Sequence, residues 1–205
     1  MTHKNTKPEH YYSSHPQSEA KLGLIRTRLR RESFEFMTTS SVFSKKRVDT
    51  GTRLLIESVI LPETGRVLDV GSGYGAIGIV AARLNPSLQV VLTDVNIRAV
   101  RLARENIERN SIVNAQVRCG SLYEPVEDLT FNCILSNPPV SAGMNTVKAI
   151  IIEAPKIMEP KATLQMVVKS KIGRKILPAV FETAFGNCRI LAREGGYRVF
   201  ISEKQ

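Results

Sequence analysis

From Gly65 onward, short apolar runs alternate with stretches in which apolar residues recur at helical spacing. The short runs predict strands, and they lie at 66–70, 88–94, 115–119, 131–135, 164–168, 188–192 and 197–202. The helical stretches lie at 75–84, 97–107, 147–158 and 172–185, with interruptions expected at Pro155 and Pro178. Repeated strand–helix–strand units predict a parallel sheet with helices on both faces. The Gly195-Gly196 pair predicts that the last two strands form an antiparallel hairpin.

The residues before Gly65 show weaker patterns. Alternation at 33–38 predicts a short strand, and a second strand is expected at 41–44. Asp49 can cap a helix. The apolar face of that helix would comprise Leu54, Leu55, Val59 and Ile60. Residues 1–17 are polar and proline-containing, which is typical of a flexible tail. We therefore divide the chain into this tail, an N-terminal extension at 18–50 that packs on the core, and a main domain at 51–205.

Composition limits the classes of protein to which the chain can belong. Its 205 residues suit a single core, and no run approaches the roughly 20 apolar residues of a membrane-spanning helix. The N-terminus lacks the apolar segment of a signal peptide, so a cytoplasmic protein away from membranes is predicted. Cys119, Cys133 and Cys188 are far apart and are expected to be small core residues. Because all three histidines lie within the first fifteen residues, no metal site is expected.

The net charge of +10 favours a polyanionic partner, although a generally solvated basic surface is the alternative. The basic residues concentrate towards the two ends of the chain. They include Arg26, Arg28, Arg30, Arg31, Lys45, Lys46, Arg47, Lys169, Lys171, Arg174 and Lys175. Basic patches that flank a central cofactor-binding unit suit a nucleic-acid substrate.

A glycine-rich segment, DVGSGYG at 69–75, follows a predicted strand and opens a predicted helix. Gly71, Gly73 and Gly75 lack side chains, so an extended ligand can lie against the backbone at the carboxyl edge of the sheet. With Ala76, the spacing also satisfies the looser dinucleotide fingerprint. The segment therefore predicts a nucleotide-like cofactor, and neighbouring residues must distinguish its type.

One acidic residue favours S-adenosylmethionine over a dinucleotide, whereas a second suits either ligand. Asp69 would repel a pyrophosphate but suits a cationic ligand. Asp94 ends the next strand, where its carboxylate can accept hydrogen bonds from a ribose diol. Ser121 follows the third strand, where the adenine should lie, and can receive the adenine amino group only weakly. The predicted cofactor-binding residues of this region are Asp69, Gly71, Gly73, Gly75, Asp94, Val95 and Ser121.

The segment Asn137-Pro138-Pro139-Val140 follows an apolar strand and predicts the chemical site. Prolines fix the backbone and remove N–H donors. The Asn137 side-chain oxygen and the Pro138 carbonyl can hold the two hydrogens of an exocyclic amine in the geometry needed for attack on a methyl sulfonium. We therefore assign catalysis to Asn137, Pro138 and Pro139, with Asn137 also touching the cofactor. A rigid turn without chemistry is the alternative.

Four segments together resemble a known family: VFS at 42–44, VDTGT at 48–52, DVGSGYG at 69–75 and NPP at 137–139. Their order resembles class I, small-domain methyltransferases that use S-adenosylmethionine. The resemblance is greatest to the catalytic domain of small-subunit ribosomal RNA guanine-N(2) methyltransferases and their compact archaeal-type relatives, and it covers nearly the whole chain from about Tyr11. It implies a Rossmann-like α/β fold with a seven-stranded, mostly parallel sheet, a C-terminal antiparallel hairpin and helices on both faces.

The resemblance also implies roles for residues before the glycine-rich segment. Residues expected near the methionine end of the cofactor are Lys46, Asp49, Thr50 and Thr52. Asp49 and Thr50 could equally be only a helix cap. Phe43 is expected either to approach the target base or to belong to the core. Relatives often carry an aromatic residue where this chain has Val140, so Phe43 or Tyr123 could supply the stacking instead.

These observations predict an N-methyltransferase for an exocyclic amino group, with guanine N(2) in small-subunit ribosomal RNA as the expected target. Its partner would be ribosomal RNA or the small ribosomal subunit. One alternative is a protein glutamine N(5)-methyltransferase, because an amide also suits the Asn-Pro-Pro site. The other is a non-catalytic RNA-binding or assembly protein that retains the fold; Asp69, Asp94 and Asn137 argue against it.

Overall fold

The computed structural model describes residues 22–39, 47–138, 143–173 and 176–205. Within these ranges the strands are β1 (Leu22–Leu29), β2 (Glu32–Thr39), β3 (Gly65–Val70), β4 (Leu88–Asp94), β5 (Ala115–Cys119), β6 (Phe131–Ser136), β7 (Met158–Lys169), β8 (Arg189–Glu194) and β9 (Tyr197–Glu203). The helices are α1 (Thr50–Ser58), α2 (Ala76–Leu84), α3 (Ile97–Arg109), α4 (Met144–Glu153), α5 (Ser170–Gly173) and α6 (Leu177–Phe185). Strands β1 and β2 form an antiparallel hairpin of their own.

The remaining strands form one sheet in the order β5-β4-β3-β6-β7-β9-β8. Neighbours from β5 to β7 are parallel, whereas β9 is antiparallel to both β7 and β8. The predicted seven-stranded, mostly parallel sheet with a C-terminal hairpin is therefore confirmed. Because the chain returns from β5 to place β6 beside β3, the strand order reverses between these two strands. Ligands of open α/β sheets bind at the carboxyl ends of the strands at such a reversal.

Successive side chains of the central strands lie alternately in two apolar cores, one on each face of the sheet. Val67 of β3 and Leu135 of β6 pack with α1, α2, α3 and the β1–β2 hairpin. Leu68 of β3 and Ile134 of β6 pack with α4 and α6 on the opposite face. All four side chains are fully buried. The period of two along each strand thus places helices on both faces, as predicted.

The hairpin is fixed to the main sheet's helices by two asparagines of α3. The Asn106 side chain accepts from Met37 N at 2.6 Å and donates to Met37 O at 3.0 Å. One turn later, Asn110 accepts from Glu35 N at 3.1 Å and donates to Glu35 O at 2.7 Å. These contacts satisfy the outer edge of β2, which would otherwise expose unpaired backbone groups.

Several predictions of local structure are corrected. Strand β1 was not predicted, and β7 is twelve residues long, so the predicted 164–168 covers less than half of it. The helix predicted at 172–185 is divided into α5 and α6. The strand predicted at 41–44 lies outside the described residues.

Three predicted core side chains also differ in burial. Ile60 follows the C-cap of α1 and is 48% exposed, so it does not belong to that helix's buried face. Cys119 ends the edge strand β5 and is exposed, so its assignment to the core was wrong. Cys188 is only partly buried, whereas Cys133 is buried as predicted.

Candidate active site

The predicted site residues lie at the ends of the two strands that flank the reversal in strand order. Val70 of β3 pairs with Ser136 of β6, and the Ser136 hydroxyl donates to Val70 O at 2.9 Å. The residues that follow these strands are Gly71 and Asn137. The topology therefore brings the glycine-rich segment and the Asn-Pro-Pro segment together.

Residues 71–75, here called the glycine loop, are held to the end of β4. The N–H groups of Gly71 and Ser72 both donate to Thr93 O at 2.9 Å. Gly71 has a left-handed φ of 69°, and a Cβ atom built on it meets no atom within 4 Å. The backbone at Gly71 thus borders open space, and any side chain there would enter it.

Asp69 is fully buried beneath the loop. Its Oδ2 accepts from the N–H of Gly78, in the first turn of α2, at 2.8 Å, while Oδ1 has no hydrogen-bond partner among the described residues. Burial raises the pKa of Asp69 to about 7; the Gly78 N–H opposes this rise and the nearby Asp94 adds to it. The carboxylate thus occupies the helix N-terminus where a dinucleotide enzyme would bind pyrophosphate. This position argues for a cationic ligand.

Asp94 joins the glycine loop to the next loop along the sheet edge. Its Oδ2 accepts from Gly73 N and its Oδ1 from Asn96 N, each at 2.8 Å. Burial raises the pKa of Asp94, and these backbone N–H groups oppose the rise. Since a carboxylate has about four acceptor positions, Asp94 retains capacity for a diol.

The two other residues predicted around the nucleoside lie next to Asp94. Val95 directly follows β4 and is 37% exposed. Ser121 is exposed and follows Gly120, whose N–H donates to Asp94 O at 3.1 Å. The ends of β4 and β5 are thereby held side by side.

Asn137 is oriented by the beginning of α1. Its Nδ2 donates to Thr52 Oγ1 at 2.9 Å and contacts Asp49 Oδ1 at 3.4 Å. Because a carboxylate only accepts hydrogen bonds, the amide nitrogen must face Asp49. The amide oxygen has no hydrogen-bond donor in the described part of the chain and is available as an acceptor. Pro138 is buried directly after it.

Asp49 caps α1, which is one of the two roles that the sequence left open. Its Oδ1 caps α1 by accepting from Gly51 N at 3.0 Å and Thr52 N at 3.1 Å. Its Oδ2 is buried and lacks a partner within the described residues. Thr50, the first residue of α1, is exposed. Asp49 is therefore a helix cap, and its second carboxylate oxygen has acceptor capacity that the described residues do not use.

Sequence reasoning missed Tyr74, which lies inside the glycine loop. Its ring packs against Phe36 at 5.5 Å, and its buried hydroxyl has no hydrogen-bond partner in the described ranges. Burial, followed by the charge of Asp49, raises the pKa of Tyr74. The sequence did contain a signal for Tyr74, because this tyrosine lies between two glycines of the predicted cofactor loop. If its hydroxyl is buried there, it needs a hydrogen-bond partner.

Lys46, Phe43, Pro139 and Val140 lie outside the described residues. Tyr123, considered as a substitute stacking ring, is buried and donates from its hydroxyl to Ile150 O at 2.6 Å. This contact gives Tyr123 a position in the core.

The donor set fits S-adenosylmethionine. The open space beside Gly71 admits a ligand close to the backbone. One oxygen each of Asp49 and Asp69 lacks a partner among the described residues and suits a cationic group. Asp94 retains acceptor capacity for a ribose. Within the described residues, no group of three or more His, Cys, Asp or Glu side chains could hold a metal ion. None of the helices in those ranges is long and apolar enough to cross a membrane.

The family model described as "Methyltransferase small domain" matches residues 33–201. An uncharacterized protein, YbxB, of Bacillus subtilis (strain 168) is 37% identical over 198 residues, which cover 96% of this chain and 98% of that protein. Ribosomal RNA small subunit methyltransferase C of Yersinia enterocolitica (strain 8081) is 32% identical over 168 residues, which cover 80% of this chain and 47% of that protein. The chain thus spans about half the length of the relatives with that name.

A solved structure also resembles the chain. The Thermus thermophilus 16S rRNA N2 G1207 methyltransferase (RsmC), in complex with AdoMet and guanosine, has a TM-score of 0.81 and 25% sequence identity. The match covers 93% of this chain and 52% of that one. The ribosomal protein L11 methylase from Lactobacillus delbrueckii, at 20% identity and a TM-score of 0.65, covers 78% of this chain and 85% of that one, and it supports the fold alone.

Proposed function

Because the chain belongs to the methyltransferase small domain family, we propose that it methylates the exocyclic N(2) amine of a guanine in small-subunit ribosomal RNA. Family membership makes it a methyltransferase that depends on S-adenosylmethionine. This is the cofactor that the glycine-rich segment predicted. The RNA target is supported by the likeness to a methyltransferase that binds AdoMet and guanosine. The net charge of +10 also favours a polyanionic substrate.

The orientation of Asn137 carries the proposal. Thr52 and Asp49 engage its amide nitrogen, so its oxygen, which accepts from none of the described residues, would accept from a target N–H. The Pro138 carbonyl would accept from the second hydrogen of the same amine. An exocyclic amine of a base is poorly nucleophilic because its lone pair is delocalised into the ring. Two fixed acceptors favour a pyramidal nitrogen and restore that lone pair.

Other residues of the chain would position the cofactor, which supplies an electrophilic methyl group when bound. Asp94 would accept from the ribose, while Asp49 and Tyr74 would face the amino-acid end. Asp69 would favour positive charge near the loop. Methyl transfer is a displacement that depends mainly on alignment. The amine can lose its proton to solvent afterwards, so no general base is assigned.

The proposed division of the chain has three parts. Residues 1–17 would form a tail, and residues 18–50 would form an extension that completes the edge of the domain at 51–205. The small ribosomal subunit would be the physiological partner, in the cytoplasm. Protein glutamine methylation remains the second candidate, because an amide nitrogen would suit the same pair of acceptors.

The decisive experiment offers methyl-labelled cofactor to ribosomal RNA, small subunits and protein extract, and then maps the label. We expect the label on a guanine N(2). Asn137→Ala should lower the turnover about 100-fold, which corresponds to about 3 kcal/mol for one preorganised polar group, and should keep cofactor affinity. Asn132→Ala, at the opposite end of β6, is the matched control and should retain turnover. Label found only on protein glutamine would replace the proposal with its rival.

A further inference from the structure

A basic pocket lies away from the active site, between the β1–β2 hairpin and the final turns of α2 and α3. Its volume is about 580 Å³, within the roughly 300–1,000 Å³ of ligand sites. Four arginines and one glutamate are among its lining residues, which gives this lining a formal charge of +3. The arginines are Arg26, Arg28, Arg83 and Arg109.

One carboxylate partly neutralises two of these arginines. Glu35 Oε1 accepts from Arg26 Nε at 2.7 Å, and Glu35 Oε2 lies 3.7 Å from a guanidinium nitrogen of Arg109. The hydrogen bond from Arg26 is the main cause that lowers the pKa of Glu35, so this carboxyl stays ionised near neutral pH. Arg109 also pairs with Glu105, whose Oε1 lies 3.4 Å from its guanidinium. With both carboxylates ionised, the four arginines still leave a formal charge of +2.

The other two arginines are held by neutral groups. Arg28 Nε donates to Arg31 O at 3.0 Å, and Arg83 donates to Asn110 O. The Arg83 guanidinium also lies 5.9 Å from the centre of the Phe34 ring. In the described part of the chain, neither guanidinium has a carboxylate within 4.0 Å. Since a guanidinium has five N–H donors, both retain donors for an anion.

We propose that this pocket binds a backbone phosphate of the RNA outside the methylated nucleotide. This inference rests on the RNA substrate proposed above. Arginine recognises phosphate through paired N–H donors. Ser33 and Ser111 also line the pocket. Serine hydroxyls are neutral donors of the kind that contact phosphate oxygens. A nucleic-acid strand presents one such charge per nucleotide.

The position of the pocket suits this role. Helix α3 starts beside Asp94, since Asn96 caps the helix and binds the Asp94 carboxylate, and it ends at the pocket with Arg109. Its thirteen residues span about 20 Å. A stacked strand covers that distance in about six nucleotides, at about 3.4 Å each. The pocket would thus fix the register of RNA whose target base lies in the active site.

Stabilisation of helix C-termini explains the positions of only two of the four pocket arginines. Arg83 and Arg109 lie in the last turns of α2 and α3, where cations offset the helix dipole. Arg26 and Arg28 come from β1 instead and point to the same pocket. No helix terminus requires these two strand arginines.

The test measures binding of a fluorescein-labelled fragment of small-subunit ribosomal RNA to the full chain, without cofactor. Arg28→Gln and the double variant Arg26→Gln/Arg28→Gln should weaken binding several-fold. They should also reduce the slope of log affinity against log salt by about 0.7 per lost phosphate contact. Arg189→Gln, which removes the same charge from the exposed far edge strand β8, should leave binding unchanged. Cofactor affinity should be equal in all variants.

The outcomes separate the pocket from the methylation reaction. Equal weakening by Arg189→Gln and Arg28→Gln would overturn the pocket, even if the chain methylates RNA. Undetectable RNA binding by the parent, or RNA displacement by polyglutamate at equal charge concentration, would also overturn it; the latter would indicate an acidic protein partner. RNA binding that depends on Arg28 without any RNA methylation would support the pocket and refute the proposed reaction.

Discussion

We expect Asn106→Leu to weaken cofactor binding and to destabilise the fold, whereas Asn110→Leu should only destabilise it. The two side chains lie one helical turn apart on α3, and each holds the N–H and carbonyl of one β2 residue. Asn106 Nδ2 also donates to Tyr74 O at 2.8 Å, whereas Asn110 Nδ2 donates to Asn106 O at 2.8 Å. Of these two asparagines, only Asn106 therefore connects the hairpin to the glycine loop.

The magnitudes follow from the hydrogen bonds removed. Each substitution deletes three, so at about 1 kcal/mol per bond each variant should lose about 3 kcal/mol of unfolding free energy. The Tyr74 anchor is one of the three bonds of Asn106. If its loss, worth about 1 kcal/mol, falls entirely on the loop conformation that binds the cofactor, the Kd rises about five-fold.

Urea denaturation measures the stability of both variants, and an unchanged m-value shows that unfolding remains comparable. Titration calorimetry with S-adenosylmethionine measures the affinity under conditions in which both variants are folded. Asn110→Leu is the matched control, because it breaks an equivalent contact with β2, at Glu35, without removing a contact to the loop. Equal affinity losses in the two variants, or no loss in either, would refute the assignment of Asn106 as a positioning residue.

Three substitutions in and around the glycine loop should separate effects on cofactor affinity from effects on the stability of the fold. Asp94→Ala should weaken cofactor binding in calorimetry, since it removes the Gly73 contact and the ribose acceptor; unchanged affinity would exclude that role. Gly71→Ala should cost only about 1 kcal/mol of stability for its left-handed backbone, yet abolish cofactor binding by entering the open space. Gly78→Ala, whose Cβ would lie 2.7 Å from Leu92 Cγ, should instead lower thermal stability by about 1–3 kcal/mol; a wild-type melting temperature would contradict this.

The main sheet could be predicted because its central strands are buried on both faces and read as continuous apolar runs. Strand β1 could not, since its outward positions are exposed and include Arg26 and Arg28. Its partner is β2, whose outer edge is satisfied by side chains of α3. That contact joins residues about 70 positions apart, which no local pattern indicates.

The site was predictable where it depends on topology. Asp69, Asp94 and Asn137 end or follow parallel strands, and the carboxyl ends of such strands meet at one edge. Residues that act through packing were missed. Tyr74 and Asn106 reach the site only through buried contacts between the hairpin, α3 and the loop. Their roles follow from tertiary structure and not from spacing.

Asp69 couples stability to pH, and the sign follows from its burial. Burial raises its pKa from 3.8 to about 7. Below about pH 4 the folded and unfolded chains both hold this proton; between about pH 4 and pH 7 only the unfolded chain releases it, so the fold loses stability as the pH rises. At about 1.36 kcal/mol per unit of pKa, the loss reaches about 4 kcal/mol above pH 7.

Asp69→Asn removes this titration, while its amide oxygen can still accept from Gly78 N. Urea denaturation should therefore find the variant about as stable as the parent near pH 4 and more stable near pH 8; parallel pH profiles would contradict the assignment. The affinity for the cofactor should show the opposite dependence on pH. A cationic ligand favours the ionised carboxyl, so the parent should bind more tightly as the pH rises through 7 and the variant should lack this gain. The charge that destabilises the free protein would thus contribute affinity for the cofactor.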